Sequence, residues 1–314
     1  MPAQTLPVIL DGGGESLSDW WRHSERTVRQ ELLAHGAVLL RGFAVDTVER
    51  FEAARALLLS RPGAYVEGAT PRKQLGAHVY TSTEFPASEA IALHNENSYA
   101  LSWPGLLLFG CLKEPETGGA TPVADVRRVL DRMGPALVEE FERRGGWLLR
   151  RTYSDWFGLG WKRAFGTEDR GEVDAYCRGA EVVTDWLPDG ALRTRQVRPV
   201  TVRHPLTGEP AWFNHVHFWH ASALGPETRE LLEEEYGPEG LPYSTHYGDG
   251  TPIPDDVVAR IVDAFRAETA ARPWRRGDLM LVDNMLAAHG REPFTGTRQV
   301  VVAMGDPVSR AVVV

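Results

Sequence analysis

Cysteine is almost absent: Cys111 and Cys177 are the only two in 314 residues. They are too few for a disulfide framework and do not form a C-x-x-C motif, so both are read as reduced thiols of a cytoplasmic protein. Long apolar runs are missing too. The most apolar stretch, around Leu106-Leu107-Leu108-Phe109, is too short to span a bilayer. The opening Met1-Pro2-Ala3-Gln4-Thr5-Leu6-Pro7 has neither the basic start nor the apolar core of a signal peptide. No membrane association is expected. Positive charge is in deficit, with 34 Lys and Arg against 43 Asp and Glu and a net charge of −9. Without a basic stripe to neutralise phosphates, nucleic acid is excluded as a general partner. No internal repeat is visible.

What is abundant is turn chemistry, 31 glycines and 21 prolines, in a chain that is 43% hydrophobic and 25% charged. This balance suits a turn-rich globular protein. Helical spacing is read over 18–34, with His35-Gly36 as its stop, and over 48–59. A buried strand is expected at 37–43, and 61–86 reads as loop. Further strands are expected at 104–112, from 120 to 125, and at 147–152, with helices at 126–133 and 135–144 between them. Strands resume at 192–195, 197–203 and 210–214. Helices follow at 227–236 and 255–271, then strands at 279–283 and 298–304 and a short tail at 311–314. Between 153 and 190 lies an aromatic-rich stretch with Trp156, Phe157, Trp161, Phe165, Tyr176 and Trp186. No flexible polar linker flanks it, so it is read as a lid-like insertion in a single domain over 1–314. Many short strands with helices at the start and between them predict a mainly β fold, a double-stranded β-helix or jelly roll dressed with N-terminal and inserted helices.

The chemistry centres on Leu93-His94-Asn95-Glu96-Asn97-Ser98-Tyr99. On an extended strand, residues i and i+2 share a face, so His94 and Glu96 can reach one point. A third ligand must come from elsewhere, and His289 in Asp283-Asn284-Met285-Leu286-Ala287-Ala288-His289-Gly290-Arg291 is the best candidate. Two histidines and one carboxylate on one face of an octahedral ion form the arrangement of non-haem Fe(II) oxygenases. The H-x-E spacing alone is cheap, since about one or two such tripeptides are expected by chance in this composition. His23-Ser24-Glu25 has the same spacing but falls in the first predicted helix, where i and i+2 do not share a face. Arg298, on the β segment after His289, offers a fork for a co-substrate carboxylate. Thr121 offers a hydroxyl.

His94-Asn95-Glu96, Gly118-Gly119-Ala120-Thr121-Pro122, and the run from Asp283 through His289-Gly290-Arg291-Glu292-Pro293-Phe294-Thr295-Gly296-Thr297 to Arg298 resemble the Fe(II)/2-oxoglutarate dioxygenases of the taurine dioxygenase superfamily. They look most like its syringomycin-pathway aspartyl hydroxylase and clavaminate-synthase-like branch. The likeness runs from about Gly36 to Met304 and includes Tyr80-Thr81-Ser82-Thr83-Glu84, His204-Pro205-Leu206-Thr207-Gly208-Glu209 and Tyr247-Gly248-Asp249-Gly250. It implies His94, Glu96 and His289 as iron ligands, with Thr121 and Arg298 on the co-substrate. The implied cofactors are Fe(II), 2-oxoglutarate and O2, and the implied by-products are succinate and CO2. Many relatives carry Asp where this chain has Glu96. Related halogenases replace that acid by a small residue, so Glu96 favours hydroxylation.

The same likeness implies hydroxylation of an unactivated C–H bond in an amino acid or amino-acid-derived substrate of natural-product biosynthesis. That substrate is either free or tethered to an aminoacyl carrier protein, with desaturation or cyclisation as other outcomes. Arg127-Arg128, Arg143-Arg144, Arg150-Arg151 and Arg275-Arg276 are arginine pairs that an acidic carrier would meet, or ordinary surface charge. Asn97, Arg291, His215 and His217 are candidates for substrate or supporting contacts, with His246 another pocket-wall candidate. Two other classes stay open. His215, His217 and His220 on a strand would serve a metal hydrolase in the manner of cupins. A catalytically dead jelly-roll binding module would carry a broken triad.

Overall fold

The structure, a computed structural model, describes residues 6–62, 74–76, 78–82, 85–155, 159–237 and 241–312. Met1 to Thr5, Thr83, Glu84, Trp156, Phe157 and the final Val313-Val314 lie outside the described residues, as does most of the loop expected between 61 and 86.

The framework is a seven-stranded sheet in the order Val8–Asp11, Ala37–Arg41, Leu279–Asp283, Ser102–Lys113, Gln299–Ser309, Val79–Thr81 and Gln74–Gly76. Its first pair is parallel and the rest antiparallel. Successive side chains on a strand face opposite ways, and both faces here are covered. Leu39, Phe109, Met280 and Val302 point to one side and meet Val123 and Ala287 of a second, three-stranded sheet. Leu40, Leu108, Leu281 and Val301 point to the other, against Trp20, Val28 and Leu32 of the helix Leu17–His35 and Phe51 and Leu58 of the helix Val48–Leu58. This explains why Ala37-Val38-Leu39-Leu40 is apolar without alternation. Burial of each such side chain is worth about 1.5–3 kcal/mol. The jelly-roll core is thus one sheet shared by two apolar layers, with the helices on the outer one.

The first helix starts where Ser16 Oγ accepts the Asp19 N–H (3.2 Å) and stops at Gly36, whose φ of 78° is the left-handed cap that the His35-Gly36 stop anticipated. A third apolar layer joins the helices Val126–Met133, Pro135–Arg143 and Asp255–Glu268 to Trp147, Trp212 and Phe213. Among the described residues, no helix is long and apolar enough to cross a membrane.

Two strands carried no expectation, and two expectations need correction. Val8–Asp11 is a strand that polar and apolar alternation did not reveal, because it is only four residues long and Val8, Ile9 and Leu10 are all apolar although Ile9 faces out. Tyr243–Tyr247 is a strand too, pairing with Trp147–Tyr153. The stretch expected as loop contains Gln74–Gly76 and Val79–Thr81, which close one edge of the large sheet. The two strands expected at 192–195 and 197–203 are cut differently: Leu192–Arg198 is continuous, and the break falls at Pro199, which has no N–H to give a ladder.

Within 153–190, helices Trp161–Phe165 and Arg170–Gly179 and the strand Val183–Trp186 surround their own small core of Tyr153, Trp161, Val173, Cys177 and Leu192. Both cysteines are buried, and burial pushes the Cys111 thiol up to about 12.

Candidate metal centre

The three-stranded sheet builds the site, in the order Ile91–His94, Ala287–Arg291, Val123–Asp125. His289 on the middle strand stands opposite His94 on one side and Val123 on the other. Their rings therefore meet, with centroids 4.5 Å apart. The strands can come this close because position 290 is glycine: a Cβ there would lie 2.5 Å from the Ile91 carbonyl oxygen. His94 Nδ1–H donates to the Ala92 carbonyl (2.9 Å), which leaves Nε2 as its ligand atom.

Glu96 is not on the strand. The strand ends at His94, and Glu96 sits in the turn that follows, next to Asn97 in the left-handed region (φ 53°). The shared face expected from strand pleating is therefore reached by a turn. What fixes that turn is Asn284, fully buried at the end of Leu279–Asp283. Its Oδ1 accepts the Glu96 N–H (2.7 Å) and its Nδ2 donates to the Glu96 carbonyl (2.9 Å) and the Pro104 carbonyl (2.8 Å). Asn95 Nδ2 returns a bond to the Asn284 carbonyl (2.7 Å). Farther along the turn, Arg310 donates to the Ser98 carbonyl (3.0 Å) and Arg198 to the Tyr99 carbonyl (3.0 Å).

The ligand atoms of His94, Glu96 and His289 all lie within 4.8 Å of one another, with Glu96 Oε2 3.9 Å from His289 Nε2. Adjacent ligands of an octahedral ion with bonds of about 2.1 Å stand about 3 Å apart, so small side-chain rotations close the set. Two imidazoles and one carboxylate fit a facial triad. Among the described residues this is the one such cluster able to hold a metal.

Beside it, Arg298 is held by three oxygens: Nε donates to the Gly119 carbonyl (2.8 Å), one terminal nitrogen to Ser82 Oγ (3.1 Å) and the other to Thr121 Oγ1 (3.2 Å). Trp274 Nε1 also donates to Thr121 Oγ1 (3.1 Å). Gly118 and Gly119, with φ of 64° and 67°, let the Thr121 segment pass close by; a Cβ on Gly119 would lie 3.1 Å from Arg298 Cδ. Arg298, Thr121, Ser82, His94 and His289 line one pocket. Burial, with Arg291 nearby, pulls Arg298 down to about 10, still a cation at neutral pH.

Other candidates resolve differently. Arg291 gives its guanidinium to the Phe85, Pro86 and Glu89 carbonyls (3.0, 2.6 and 2.8 Å), so it anchors the segment that leads into the metal strand. Asn97 Oδ1 accepts the Tyr99 hydroxyl (3.1 Å). His215, His217 and His220 are on a turn, not a strand, and do not converge. His215 Nδ1 bonds Ser98 Oγ (2.6 Å), His217 donates to the Leu93 carbonyl (2.9 Å) and His220 to the Ile253 carbonyl (3.1 Å). Burial holds His215 well below its usual range and His217 down at about 4, so both are neutral at pH 7. The hydrolase reading loses its metal site. The decoy His23 faces Glu15 on an exposed helix surface, as expected.

Several of the arginine pairs are spent in ion pairs: Arg127 with Asp125 and Glu209, Arg128 and Arg132 with Glu268, Arg143 and Arg144 with Glu140, Arg276 with Asp46. Arg151 is buried. Sequence reasoning missed Asn284, Ser82 and Trp274. Asn284 sat inside the quoted Asp283–His289 run and Ser82 in the Tyr80–Glu84 run, but nothing in either spacing assigns them a partner.

The model of the "Taurine catabolism dioxygenase TauD, TfdA family" matches residues 8–304. The dapdiamide synthesis protein DdaC of Enterobacter agglomerans is 39% identical over 301 residues, 96% of this chain and 91% of that protein. A clavaminate synthase-like protein of Arabidopsis thaliana is 30% identical over 278 residues, 86% and 81% of the two chains. The fold is shared with PvcB of Pseudomonas aeruginosa (TM-score 0.55, 17% identity, 95% of this chain and 84% of that one). A second structure of PvcB describes it as an Fe, alpha-ketoglutarate dependent oxygenase from an isonitrile synthetic pathway.

Proposed function

This chain belongs to the TauD/TfdA family of dioxygenases, and from that premise we propose that it hydroxylates an unactivated C–H bond of an amino-acid-derived small molecule in natural-product biosynthesis. The observation that carries the reading is the convergence of His94, Glu96 and His289 within 4.8 Å, beside a half-buried Arg298 that lines the same pocket. The three side chains would hold Fe(II), and Arg298 with Thr121 would take the distal carboxylate of 2-oxoglutarate. When bound, iron with 2-oxoglutarate and O2 supplies the oxidising chemistry, giving succinate, CO2 and a hydroxylated carbon.

The protein's own contribution is positioning. Asn284 and the Ala92 carbonyl hold two ligands in place before any metal arrives. The apolar walls, Phe109 against His289 (5.2 Å) and Phe218 against His94 (4.9 Å), keep water from the reacting centre. Arg198 ties the described part of the segment 153–190 to the turn beyond Glu96, donating to the Ala180 carbonyl (2.6 Å) and to the Tyr99 carbonyl, which supports reading that segment as a cover. A biosynthetic role is supported by the 39% identity to a dapdiamide synthesis protein. A free substrate is favoured over a carrier-bound one, because Arg127, Arg128, Arg143, Arg144 and Arg276 are occupied by neighbouring acids.

The test is anaerobic addition of Fe(II) and 2-oxoglutarate. A weak visible charge-transfer band is expected in the wild type. Its absence from folded protein rejects the proposal. Offering amino acids free and carrier-loaded, and following succinate release, then decides the form of the substrate.

A further inference from the structure

The run His204-Pro205-Leu206-Thr207-Gly208-Glu209 forms the loop between the strands Thr201–Arg203 and Pro210–Trp212. It closes on His204. The His204 N–H donates to the Glu209 carbonyl (2.9 Å), its carbonyl accepts the Gly208 N–H (2.8 Å) and its Nδ1 accepts the Thr207 N–H (3.2 Å). An accepting Nδ1 puts the ring proton on Nε2. That N–H leaves the loop and donates to Asp283 Oδ2 (3.1 Å), 79 positions away. Both residues are buried, 4% and 5% exposed. The loop is itself anchored, because Arg127 joins Glu209 (2.8 Å) to Asp125 (2.8 Å) on the edge of the three-stranded sheet and to the Leu33 and Ala34 carbonyls.

Asp283 ends the strand Leu279–Asp283, and the strand Ala287–Arg291, which carries His289, starts four residues on. The turn between them holds Asn284. Asp283 shapes that turn with its other oxygen, Oδ1, which accepts the Met285 N–H (3.0 Å) and the Leu286 N–H (3.2 Å). A buried carboxylate needs donors on its oxygens. The turn supplies two of them and His204 supplies the third. His204 and Asp283 also border a cavity of about 350 Å³, together with Leu32, Leu106 and Met285. There is room beside the pair for the carboxylate to swing once the Nε2–H is gone.

We propose that His204 is a positioning residue for the metal centre: through Asp283 it holds the turn 283–286 in the shape that presents Asn284 to Glu96. This rests on reading His94, Glu96 and His289 as the metal ligands, and it gives the His204–Glu209 loop a task at a site that none of its side chains touches.

The probe is Fe(II), titrated anaerobically, alongside amide hydrogen exchange of the metal-free protein. His204→Leu is expected to bind Fe(II) about tenfold more weakly, the lower end for groups that orient metal ligands. The Glu96 N–H, which Asn284 Oδ1 accepts, should exchange faster by more than any loss of global stability read from the amides of Ser102–Lys113. His204→Gln carries an N–H as far out as Nε2 and should restore both readouts; His204→Asn reaches only as far as Nδ1 and should not. A role confined to the loop predicts the reverse, since Asn replaces the acceptor of Thr207. In an Asn284→Ala background the His204→Leu effect on Fe(II) should vanish.

The proposal is overturned if folded His204→Leu keeps wild-type Fe(II) affinity or wild-type exchange at Glu96, if Asn restores what Gln does not, or if the effect persists undiminished in Asn284→Ala. Should His204→Leu not fold, the Gln and Asn variants decide. A wild type that binds no Fe(II) overturns the oxygenase reading and this proposal with it, whereas wild-type binding with an indifferent His204→Leu overturns this proposal alone.

Discussion

Asn284 grips Glu96 by both of its backbone polar groups, accepting the N–H at 2.7 Å and donating to the carbonyl at 2.9 Å. One buried amide thereby does for a turn residue what a neighbouring strand would do for a strand residue. The carboxylate is aimed by a side chain 188 positions away in sequence.

Replacing Asn284 by Ala leaves the Glu96 N–H and two carbonyls without this partner. Fe(II) affinity is expected to fall about 10- to 100-fold, as for other residues that orient metal ligands. Anaerobic Fe(II) titration measures it, with a thermal melt to separate lost stability from lost metal. Unchanged affinity in folded Asn284→Ala would show that the turn holds its shape without the clamp.

Glu96→Ala and His289→Ala are expected to abolish the Fe(II)/2-oxoglutarate absorption band, each removing one of three ligands. Glu25→Ala, from the tripeptide with the same spacing on the first helix, should leave it untouched. A band that survives loss of both Glu96 and His289 would place the metal elsewhere.

Arg298→Met takes away the cation expected to meet the distal carboxylate of 2-oxoglutarate. The apparent KM for 2-oxoglutarate should rise about 100-fold, the effect of losing a charge-assisted hydrogen-bonded pair of about 3 kcal/mol. Thr121→Val, which removes the acceptor of Trp274 and Arg298, should act in the same direction with a smaller effect. Succinate release across a 2-oxoglutarate series reads both, and an unaltered KM in Arg298→Met counts against its role.

His217 titrates at about 4 in the folded protein because burial penalises its charge, and near 6.5 once unfolded. The unfolded chain therefore binds more protons between those values, so stability falls as pH drops from 6.5 towards 4. The linkage is worth about 3 kcal/mol in all. Buried His215, shifted in the same direction, adds to it. Denaturant melts at pH 7 and pH 5 should show the loss, and His217→Gln should make it smaller. Equal acid sensitivity in wild type and variant would assign the effect to other groups.

Gly290→Ala would put a Cβ 2.5 Å from the Ile91 carbonyl oxygen, forcing the two ligand-bearing strands apart. About 1–3 kcal/mol of destabilisation is expected, as for other overpacked sites, together with weaker Fe(II) binding. A melt and a metal titration at the wild-type midpoint check both, and a variant as stable as wild type would mean the strands already have slack.

The sequence by itself determined which side chains are the candidates for a metal and the kind of fold. Residue types with metal chemistry, a glycine stop after the first helix and unbroken apolar strands are local signals, each set by the residue and its near neighbours. That is why His94, Glu96, His289, Thr121 and Arg298 could be named, and why the decoy on the first helix could be set aside. Tertiary structure alone decided how they meet. It brought His289 across the ladder from His94, moved Glu96 off the strand into a turn that Asn284 holds, and set Arg291, expected as either a substrate or a supporting contact, on three backbone carbonyls. It also scattered His215, His217 and His220 onto separate partners and buried Arg151 among rings from four segments. The physical reason is that hydrogen-bond partners and burial are properties of residues brought together through space, and the spacing of residues along a chain carries no record of which distant group will face them.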